Sequence, residues 1–237
     1  MQAMILAAGF GKRMLPLTNS TPKPLVLIKE KPILFHIINK LLLQNISEIT
    51  INTHHLSDKL ISYLNENFNN NFQVIVEQEI LDTGGGVANA IIKKKIGKDN
   101  NPFFIINGDI FWMESVNSVF SSLIASWDDE KMDILLMTIE KNTFFGYKGL
   151  GDFNFVSIKN NLGMLTNDSS MIEKKYVYTG VQLIHPRIFE GIKKKKFSLK
   201  EVFDEALKKK SLFGLIDYNK WFHIGTVEDL DKAQKIL

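Results

Sequence analysis

Short apolar runs alternate with amphipathic stretches along the chain, most regularly over its first 140 residues. The apolar runs are too short for buried helices and predict strands, whereas apolar residues at helical spacing predict helices. The predicted strands are Ala3–Ala7, Glu48–Asn52, Phe72–Val76, Phe103–Ile106 and Met132–Thr138. The predicted helices are Ile33–Leu43, Leu56–Leu64, Gly86–Lys95 and Glu114–Ala125. This β-α-β-α rhythm predicts an α/β fold with a Rossmann-like, mostly parallel sheet that is sandwiched by helices on both faces.

The rhythm loosens after about residue 140. Gly146–Asp152 is rich in glycine, and Asn160–Lys175 is a polar excursion. The remaining predicted elements are two strands, Phe153–Ile158 and Tyr176–Leu183, and two helices, Leu199–Lys209 and Val227–Ile236, with Ser198 and Thr226 as their N-caps. Because no repeat or linker marks a second independent unit, we expect a single domain over residues 1–237.

Composition narrows the class of protein. A chain of 237 residues that is 45% hydrophobic and 23% charged is typical of an ordinary globular protein. The lack of cysteine excludes a disulfide scaffold, a thiol nucleophile and a thiolate metal site. No apolar run reaches the roughly 18 residues of a spanning helix. The N-terminus reads as a strand and a glycine turn rather than an export signal, so we expect a cytoplasmic protein without a membrane partner.

A nucleic-acid partner is not indicated. The net charge is only +3, which is too small to imply one by itself. The basic runs Lys93–Lys95, Lys193–Lys196 and Lys208–Lys210 lie at the ends of predicted helices, without interleaved aromatic residues. We expect these lysines to meet the helix dipole and water rather than nucleic-acid bases.

The strongest chemical signal follows the first strand, in the segment L-A-A-G-F-G-K-R-M-L-P-L-T of residues 6–18. Gly9 and Gly11 let the backbone turn sharply and offer bare N–H groups to an anion, with Lys12 and Arg13 beside them. A tight strand-to-loop connection is the simpler alternative. The dinucleotide fingerprint fails because Met14 stands where a third glycine is needed, and the Walker loop fails at Arg13.

Lys23 stands between two prolines in the segment T-P-K-P-L of residues 21–25. The prolines stiffen the backbone on both sides, so the lysine is presented from a rigid loop. A solvated surface lysine is the ordinary alternative, but the position soon after Arg13 favours a clamp for a polyphosphate.

Two later strands also end in residues suited to a nucleotide. Gly84, Gly85 and Gly86 follow the third strand and permit a flat ligand to approach the backbone closely, unless they merely form a flexible loop. The fourth strand ends in Asn107-Gly108-Asp109, and a carboxylate there suits a hard divalent cation, although turn aspartates are common. Ligands of open α/β sheets bind outside the carboxyl ends of strands, so we expect Asp109 to face the same crevice as residues 9–13.

Together and in this order, these segments resemble the sugar-1-phosphate nucleotidyltransferases. That family shows L-A-A-G-x-G-x-R-M-x-P-L-T, then T-P-K-P-L, a glycine-rich loop, and G-D after a strand. A closer likeness is to the short bacterial N-acetylmuramate α-1-phosphate uridylyltransferases. It is carried by T-G-G-G at residues 83–86, N-G-D at residues 107–109 and G-D-F at residues 151–153. Further residues carry it at T-G-V of residues 179–181, H-P of residues 185–186 and F-E-G of residues 189–191. The chain also ends about a dozen residues beyond a segment like W-x-D-x-G-T, without the further domain of longer relatives, which favours a monomer.

The resemblance implies a role for each matching residue. Arg13, Lys23 and Asp109 would be catalytic, with Arg13 on the β- and γ-phosphates, Lys23 around the α-phosphate and Asp109 on magnesium. The nucleotide would contact Ala8, Gly9, Gly11, Glu79, Gly84, Gly85 and Gly86. The sugar would contact Asn107, Gly151, Glu173, Thr179 and Gly180. Residues 1–140 would mainly bind the nucleotide, residues 141–226 mainly the sugar, and residues 227–237 would form a C-terminal helix.

One residue departs from the family motif. The second metal-binding aspartate of W-x-D-x-G-T is replaced here by His223, in W-F-H-I-G-T of residues 221–226. Magnesium prefers oxygen ligands, whereas imidazole suits manganese and other transition metals. His223 could therefore ligate a softer ion such as Mn²⁺, hold Mg²⁺ through a water, contact phosphate, or be a core histidine.

The implied reaction is the attack of a sugar 1-phosphate on the α-phosphorus of a nucleoside triphosphate, with release of pyrophosphate, in peptidoglycan recycling. The nucleophile is already ionised, so the site needs positioning and cations rather than a Ser–His–Asp triad, of which no signature is present. UTP and N-acetylmuramate α-1-phosphate are the favoured substrates. The alternatives are a mannose-1-phosphate guanylyltransferase, a glucose-1-phosphate uridylyl- or thymidylyltransferase, and a non-catalytic sugar-nucleotide sensor.

Overall fold

The computed structural model describes residues 1–69, 72–115, 117–167 and 172–237. Its strands are β1 (Gln2–Ala7), β2 (Leu27–Ile28), β3 (Lys31–Pro32), β4 (Glu48–Thr53), β5 (Gln73–Val76), β6 (Phe103–Asn107), β7 (Ile110–Met113), β8 (Ile134–Glu140), β9 (Asn154–Phe155), β10 (Leu162–Thr166), β11 (Tyr176–Ile184), β12 (Leu212–Ile216) and β13 (Lys220–His223). Its α-helices are α1 (Ile33–Leu43), α2 (Ser57–Asn67), α3 (Asp82–Ile92), α4 (Val119–Ser126), α5 (Leu199–Lys208) and α6 (Val227–Ile236).

A nine-stranded sheet forms the centre of the molecule, in the order β5-β4-β1-β6-β11-β8-β12-β10-β9. The strands β5, β4, β1 and β6 are all parallel. Strand β11 is antiparallel to both β6 and β8, and β12 returns to the parallel direction beside β8. At the far edge, β10 is antiparallel to both β12 and β9. The predicted mostly parallel sheet is confirmed.

Helices cover both faces of this sheet, as the α/β prediction required. Along β1, Ala3 and Ile5 enter the core beneath α1, α2, α4 and α6, whereas Met4 enters the core beneath α3 and α5. Successive side chains of a strand point to opposite faces, so an apolar run with no polar alternation has to be buried on both. No helix in the described ranges is long and apolar enough to cross a membrane.

Several predicted elements are confirmed with the same or nearly the same bounds. The helices Ile33–Leu43 and Val227–Ile236 are found as predicted. Ser198 and Thr226 cap α5 and α6, each accepting a backbone N–H at its side-chain oxygen. Glu201 completes a capping box with Ser198, which explains the sharp start of α5.

Other bounds differ for local reasons. The helix predicted over Glu114–Ala125 begins only at Val119, because residues 110–113 form β7 and the Glu114 carboxylate accepts the N–H of Val119 from outside the helix. Residue 116 of that prediction lies outside the described residues. The helix predicted over Gly86–Lys95 begins at Asp82, so the three glycines lie inside its first turns.

The second half contains strands that the sequence pattern did not reveal. The polar excursion Asn160–Lys175 contains β10, which pairs with the unpredicted strand β12; residues 168–171 of that excursion lie outside the described residues. Only Asn154–Phe155 of the predicted strand Phe153–Ile158 forms a strand. Strands β10 and β12 have only five residues each, and β12 pairs with β10 and β8 across long separations in the chain, which no local pattern reveals.

The expectation for one basic run was wrong. Lys208–Lys210 lies at the C-terminal end of α5, where the helix dipole favours positive charge. Lys193–Lys196 instead precedes α5 and lies at its positive end. Ion pairs compensate there, from Lys194 to Glu201 and from Lys195 to Glu79.

Candidate active site

A cavity of about 390 Å³ opens at the carboxyl ends of the parallel strands β1, β4 and β6. The last residues of these strands reach its wall, together with the loops that follow β1, β5 and β6. The lining residues are Leu6, Ala7, Ala8, Gly9, Gly11, Lys12, Arg13, Lys23, Pro24, Asn52, Glu77, Ile80, Asp82, Thr83, Asn107, Gly108, Asp109 and Gly225. Asp109 thus faces the same space as the glycine loop, as the sheet topology predicts.

The loop after β1 presents backbone rather than side chains to this cavity. A Cβ atom at Gly9 would meet nothing within 4 Å, so this residue leaves open space on the cavity side. Gly11 has a φ of +63°, and a Cβ there would lie 2.9 Å from Thr18 Cγ2. Thr18 fixes this turn by donating its hydroxyl to the Gly11 carbonyl oxygen at 2.9 Å. Glycine is therefore needed at position 11 for the fold, whereas the protein around position 9 leaves room for a side chain.

Lys23 and Asp109 meet at the cavity wall. Lys23 follows Pro22 and is the first residue of a short 3-10 turn, Lys23–Leu25. Its Nζ donates to Asp109 Oδ2 at 2.6 Å. The two side chains are 10% and 39% exposed. Gly108 brings Asp109 close to β1, because its N–H donates to the Leu6 carbonyl at 2.8 Å and a Cβ would lie 2.7 Å from that oxygen.

The Asp109 carboxylate is held in its ionised form. Burial opposes its charge, but the charge and hydrogen bond of Lys23 outweigh that cost, with help from His223 and Arg13. The pKa of Asp109 therefore lies below its ordinary value. An ionised carboxylate that faces a cavity is a suitable oxygen ligand for a divalent cation.

His223 reaches this site through a two-stranded ribbon. Strand β13 pairs with β7 so that His223 lies opposite Ile110, next to Asp109 in the chain. The rings of Phe144 and Tyr147 stand edge-on to the imidazole, with centroids 5.9 and 6.2 Å away. Burial lowers the pKa of His223, against the opposing effect of Asp109 and with support from Lys23 and Arg13, so the imidazole is neutral near pH 7.

The donor set near Asp109 fits a cation that also takes oxygens from its substrate. Among the described residues, no three His, Asp or Glu side chains are already arranged as the ligands of one metal ion. Asp109 supplies carboxylate oxygens, and a neutral His223 has a free ring nitrogen. Such a set leaves most coordination positions to phosphate oxygens and water, which is how Mg²⁺ is usually held.

A buried polar network stands behind the cavity on the β4–β5 side. Asn52 Oδ1 accepts the N–H of Ala7 at 3.0 Å, and Asn52 Nδ2 donates to Glu77 Oε1 at 2.7 Å. Glu77 Oε2 also accepts the N–H of Leu81 at 3.2 Å. We did not predict this pair from the sequence. The signal available was a polar residue, Asn52, at the end of an otherwise apolar strand.

Gly84, Gly85 and Gly86 lie beside protein rather than on the cavity wall. A Cβ at Gly84 would lie 2.5 Å from the Phe197 ring, and one at Gly85 would lie 2.4 Å from the Lys195 carbonyl oxygen. A Cβ at Gly86 would lie 2.8 Å from Asn52 Nδ2. These contacts seat α3 against the buried network and against the segment before α5.

The other predicted nucleotide and sugar residues are spread around the site. Glu79 does not line the cavity, and its carboxylate accepts from Lys195 at 2.5 Å. Asn107 does line it, and Gly180 packs on Asn107 at a register shift of β11, with a φ of +96°. Thr179 is buried and donates its hydroxyl to the Met137 carbonyl oxygen at 3.0 Å.

Gly151 and Glu173 are not among the residues that line the cavity. A Cβ at Gly151 would lie 2.1 Å from the Lys174 carbonyl oxygen, so this glycine allows two loop segments to meet. Glu173 is exposed and forms an ion pair with Lys141 at 2.5 Å. The structure thus gathers Arg13, Lys23, Asn107 and Asp109 in one cavity and leaves Glu173 outside it.

Comparisons with known proteins agree with this fold and show the family. The family described as Nucleotidyl transferase matches residues 2–237. The N-acetylmuramate alpha-1-phosphate uridylyltransferase of Caulobacter vibrioides is 28% identical over 228 residues, covering 94% of this chain and 91% of that relative. The D-glycero-alpha-D-manno-heptose 1-phosphate guanylyltransferase of Aneurinibacillus thermoaerophilus is 28% identical over 248 residues, covering 100% of this chain and 98% of that relative. The crystal structure of UDP-glucose pyrophosphorylase complexed with UDP-glucose has the same fold, with a TM-score of 0.81 at 17% identity, covering 99% of this chain and 97% of that one.

The chain belongs to the nucleotidyl transferase family, whose profile spans it almost from end to end. The resemblance to sugar-1-phosphate nucleotidyltransferases that its motifs carry is confirmed, and the protein is an enzyme of that type.

Proposed function

We propose that this enzyme transfers a nucleoside monophosphate from UTP to N-acetylmuramate α-1-phosphate, in peptidoglycan recycling. The observation that carries the proposal is the cavity in which a bare glycine loop, Arg13 and the Lys23–Asp109 pair share one wall. The likeness to the Caulobacter vibrioides relative over most of both chains supports this choice of base and sugar.

The chemistry is an in-line displacement. A phosphate oxygen of the sugar 1-phosphate bonds to the α-phosphorus, the bond from that phosphorus to the oxygen bridging to the β-phosphate breaks, and pyrophosphate leaves. The nucleophile carries its own negative charge, so the protein has to position two anions and offset their repulsion.

The cavity residues divide this work. Ala8, Gly9 and Gly11 bind the triphosphate through backbone N–H groups, since no side chain blocks the approach to Gly9. Arg13 holds the β- and γ-phosphates. Its guanidinium is available for them, because none of the described residues forms a hydrogen bond or ion pair with it. Lys23 serves the α-phosphate from its rigid turn, stabilising charge that develops there.

The two parts of the chain serve different substrates in this proposal. Residues 1–140 mainly bind the nucleotide, with Glu79 and Gly84–Gly86 behind the part of the site that takes the base and ribose. Residues 141–226 mainly bind the sugar, for which Gly180 packs on the cavity residue Asn107, Gly151 and Thr179 shape the surrounding loop and core, and Glu173 lies at the exposed surface. Because Gly180 packs on Asn107, the two sets meet at the boundary between β6 and β11.

Asp109 and His223 are the residues that would hold a divalent cation, Mg²⁺ or, because of the imidazole, Mn²⁺. When bound, such a cation neutralises charge on the phosphoryl oxygens. Lys23 neutralises Asp109 before substrate binds, which keeps the carboxylate ionised and ready.

The decisive experiment is a panel of nucleoside triphosphates against N-acetylmuramate, mannose and glucose 1-phosphates, with pyrophosphate release as the readout. We expect UTP with N-acetylmuramate α-1-phosphate to give the highest kcat/KM. A clear preference for GTP with mannose 1-phosphate, or for glucose 1-phosphate, would replace the proposed substrates and keep the reaction. Nucleotide binding without pyrophosphate release from any pair would indicate a sensor and contradict the proposal.

A further inference from the structure

Three side chains converge on the face of Gly225 without bonding to one another. A Cβ atom on Gly225 would lie 2.9 Å from His223 Nε2, 3.3 Å from Arg13 Nη1 and 3.3 Å from Asp229 Oδ2. Gly225 itself lines the cavity. In the described part of the chain, no hydrogen bond or ion pair joins the guanidinium, the imidazole nitrogens or the Asp229 carboxylate to another group.

Asp229 is the unexpected member of this group. It lies in the first turn of α6, where acidic residues commonly stabilise the helix dipole. Glu228 lies in the same turn, but it is exposed and pairs with Lys232. Asp229 is only 7% exposed and faces Gly225, and only its backbone N–H is used locally, donating to Thr226 Oγ1 at 3.1 Å.

The Asp229 carboxylate keeps only a little contact with water and gains no hydrogen bond within the described part of the chain, which costs free energy. The cost is removed when a cation arrives with a ligand. The same spot also holds the Arg13 guanidinium, which suits the anionic oxygens of a phosphate group. A bare polyphosphate would meet the repulsion of Asp229 there, and a bare cation would meet the repulsion of Arg13.

One kind of ligand satisfies both charges: a polyphosphate that carries a divalent cation. We propose that Asp229 makes the enzyme select the metal-chelated form of the terminal phosphates of its nucleotide. Arg13 binds the phosphate oxygens, and the Asp229 carboxylate faces the cation that these phosphates carry. This inference rests on the proposed function only in that a nucleoside triphosphate occupies the cavity. It adds a specificity residue that lies six positions beyond His223 and outside the family motif.

The test is the linkage between metal and nucleotide binding. Calorimetry with α,β-methylene-UTP, which cannot be cleaved at the reacting bond, gives the dissociation constant with a chelator and with Mn²⁺. In the unaltered enzyme we expect Mn²⁺ to tighten binding by about tenfold or more, within the usual range of coupling between two ligands. In Asp229→Asn we expect most of this gain to be lost and binding in chelator to become tighter than in the unaltered enzyme, because the repulsion is gone.

Glu228→Gln is the matched control, since it removes a carboxylate from the same helical turn but from its exposed side. It should keep the full gain from Mn²⁺. Asp229→Ser provides a second variant that keeps a small polar residue in the turn, and a thermal melt checks that each variant is folded.

The inference is overturned if Asp229→Asn and Asp229→Ser are folded and retain the gain from Mn²⁺, or if they weaken binding equally with and without the metal, as a purely structural residue would. Both results leave the proposed function intact, because the unaltered enzyme still binds the nucleotide. If the unaltered enzyme binds the nucleotide under neither condition, the proposed function and this inference fail together.

Discussion

The two halves of the nine-stranded sheet meet between β6 and β11, and they differ in strand direction and in where the residues after each strand lie. In the parallel half (β5, β4, β1 and β6), every strand runs in the same direction, so the residues that follow β1, β5 and β6 arrive at one cavity. In the mixed half (β11, β8, β12, β10 and β9), β11 and β10 run in the opposite direction. There the predicted residues Thr179, Gly151 and Glu173 lie respectively in the core, at a loop contact and on the surface.

The difference shows what parallel strands do for an active site. They bring the groups just beyond their carboxyl ends to one edge of the sheet, where Lys23 and Asp109 then bond across two loops. In the mixed half, Gly151 meets Lys174 and Gly180 meets Asn107, but the predicted residues are not brought to one cavity. We therefore expect the largest effects on catalysis from the parallel half and smaller, substrate-specific effects from the mixed half.

The largest expected effect is from the cations of the parallel half. Lys23→Ala and Arg13→Ala should each lower kcat/KM by about 1,000-fold, because a charge that stabilises the transition state is removed. Lys235→Ala, an exposed lysine on α6, is the control and should have no effect. Near-normal pyrophosphate release from both cavity variants would contradict the catalytic roles of Lys23 and Arg13 and the stronger effect expected of the parallel half.

Asp109→Ala should lower activity by roughly 100-fold or more, because it removes a cavity-facing oxygen ligand. A metal titration of pyrophosphate release is the measurement, and the unaltered enzyme should be inactive in chelator. Full activity of the unaltered enzyme in chelator would contradict the role of a divalent cation.

His223→Asp should shift the ratio of activity with Mg²⁺ to activity with Mn²⁺ by roughly tenfold towards Mg²⁺, since it replaces an imidazole by a carboxylate. Because His223 is the residue of β13 that approaches Asp109, this variant tests whether the β7–β13 ribbon contributes to metal binding. An unchanged metal profile would mean that His223 does not ligate the ion directly.

Substitutions of two glycines in the parallel half should distinguish an effect on folding stability from an effect on nucleotide binding. Gly85→Ala should lower the free energy of unfolding by about 1–3 kcal/mol, because its Cβ would overlap the Lys195 carbonyl oxygen. Gly9→Ala should change it by about 0.5 kcal/mol or less, since nothing lies within 4 Å, yet should weaken nucleotide binding. Chemical denaturation and calorimetry measure the two effects, and equal losses of stability would refute the distinction.

The smallest effect is expected in the mixed half. Among the described residues, Glu173→Ala breaks an exposed ion pair with Lys141, so the melting temperature should not change. The KM for the sugar phosphate should rise by less than about fivefold, with the KM for the triphosphate unchanged. A change confined to the triphosphate would place Glu173 on the wrong substrate.

Much of the parallel half could be predicted because local signals agree there. Apolar runs with no polar alternation indicated buried strands, and α1 was found with its predicted bounds. The mixed half was harder, because β10 and β12 are short strands whose pairing with each other and with β8 depends on segments distant in the chain. The Asn52–Glu77 bond and the approach of Arg13 and Asp229 to Gly225 likewise bring together residues that are distant in the chain.

The sequence by itself determined the α/β class, the family and the identity of the cations and glycines that line the cavity, because each is encoded within a short segment. Only the tertiary structure decided which of these groups meet. Lys23 and Asp109 are 86 positions apart and bond at 2.6 Å, because β1 and β6 are neighbours in the sheet. It also decided that Gly84–Gly86 contact protein and that Asp229 lies near Arg13 without an ion-pair partner among the described residues, since burial and charge compensation are properties of the assembled chain.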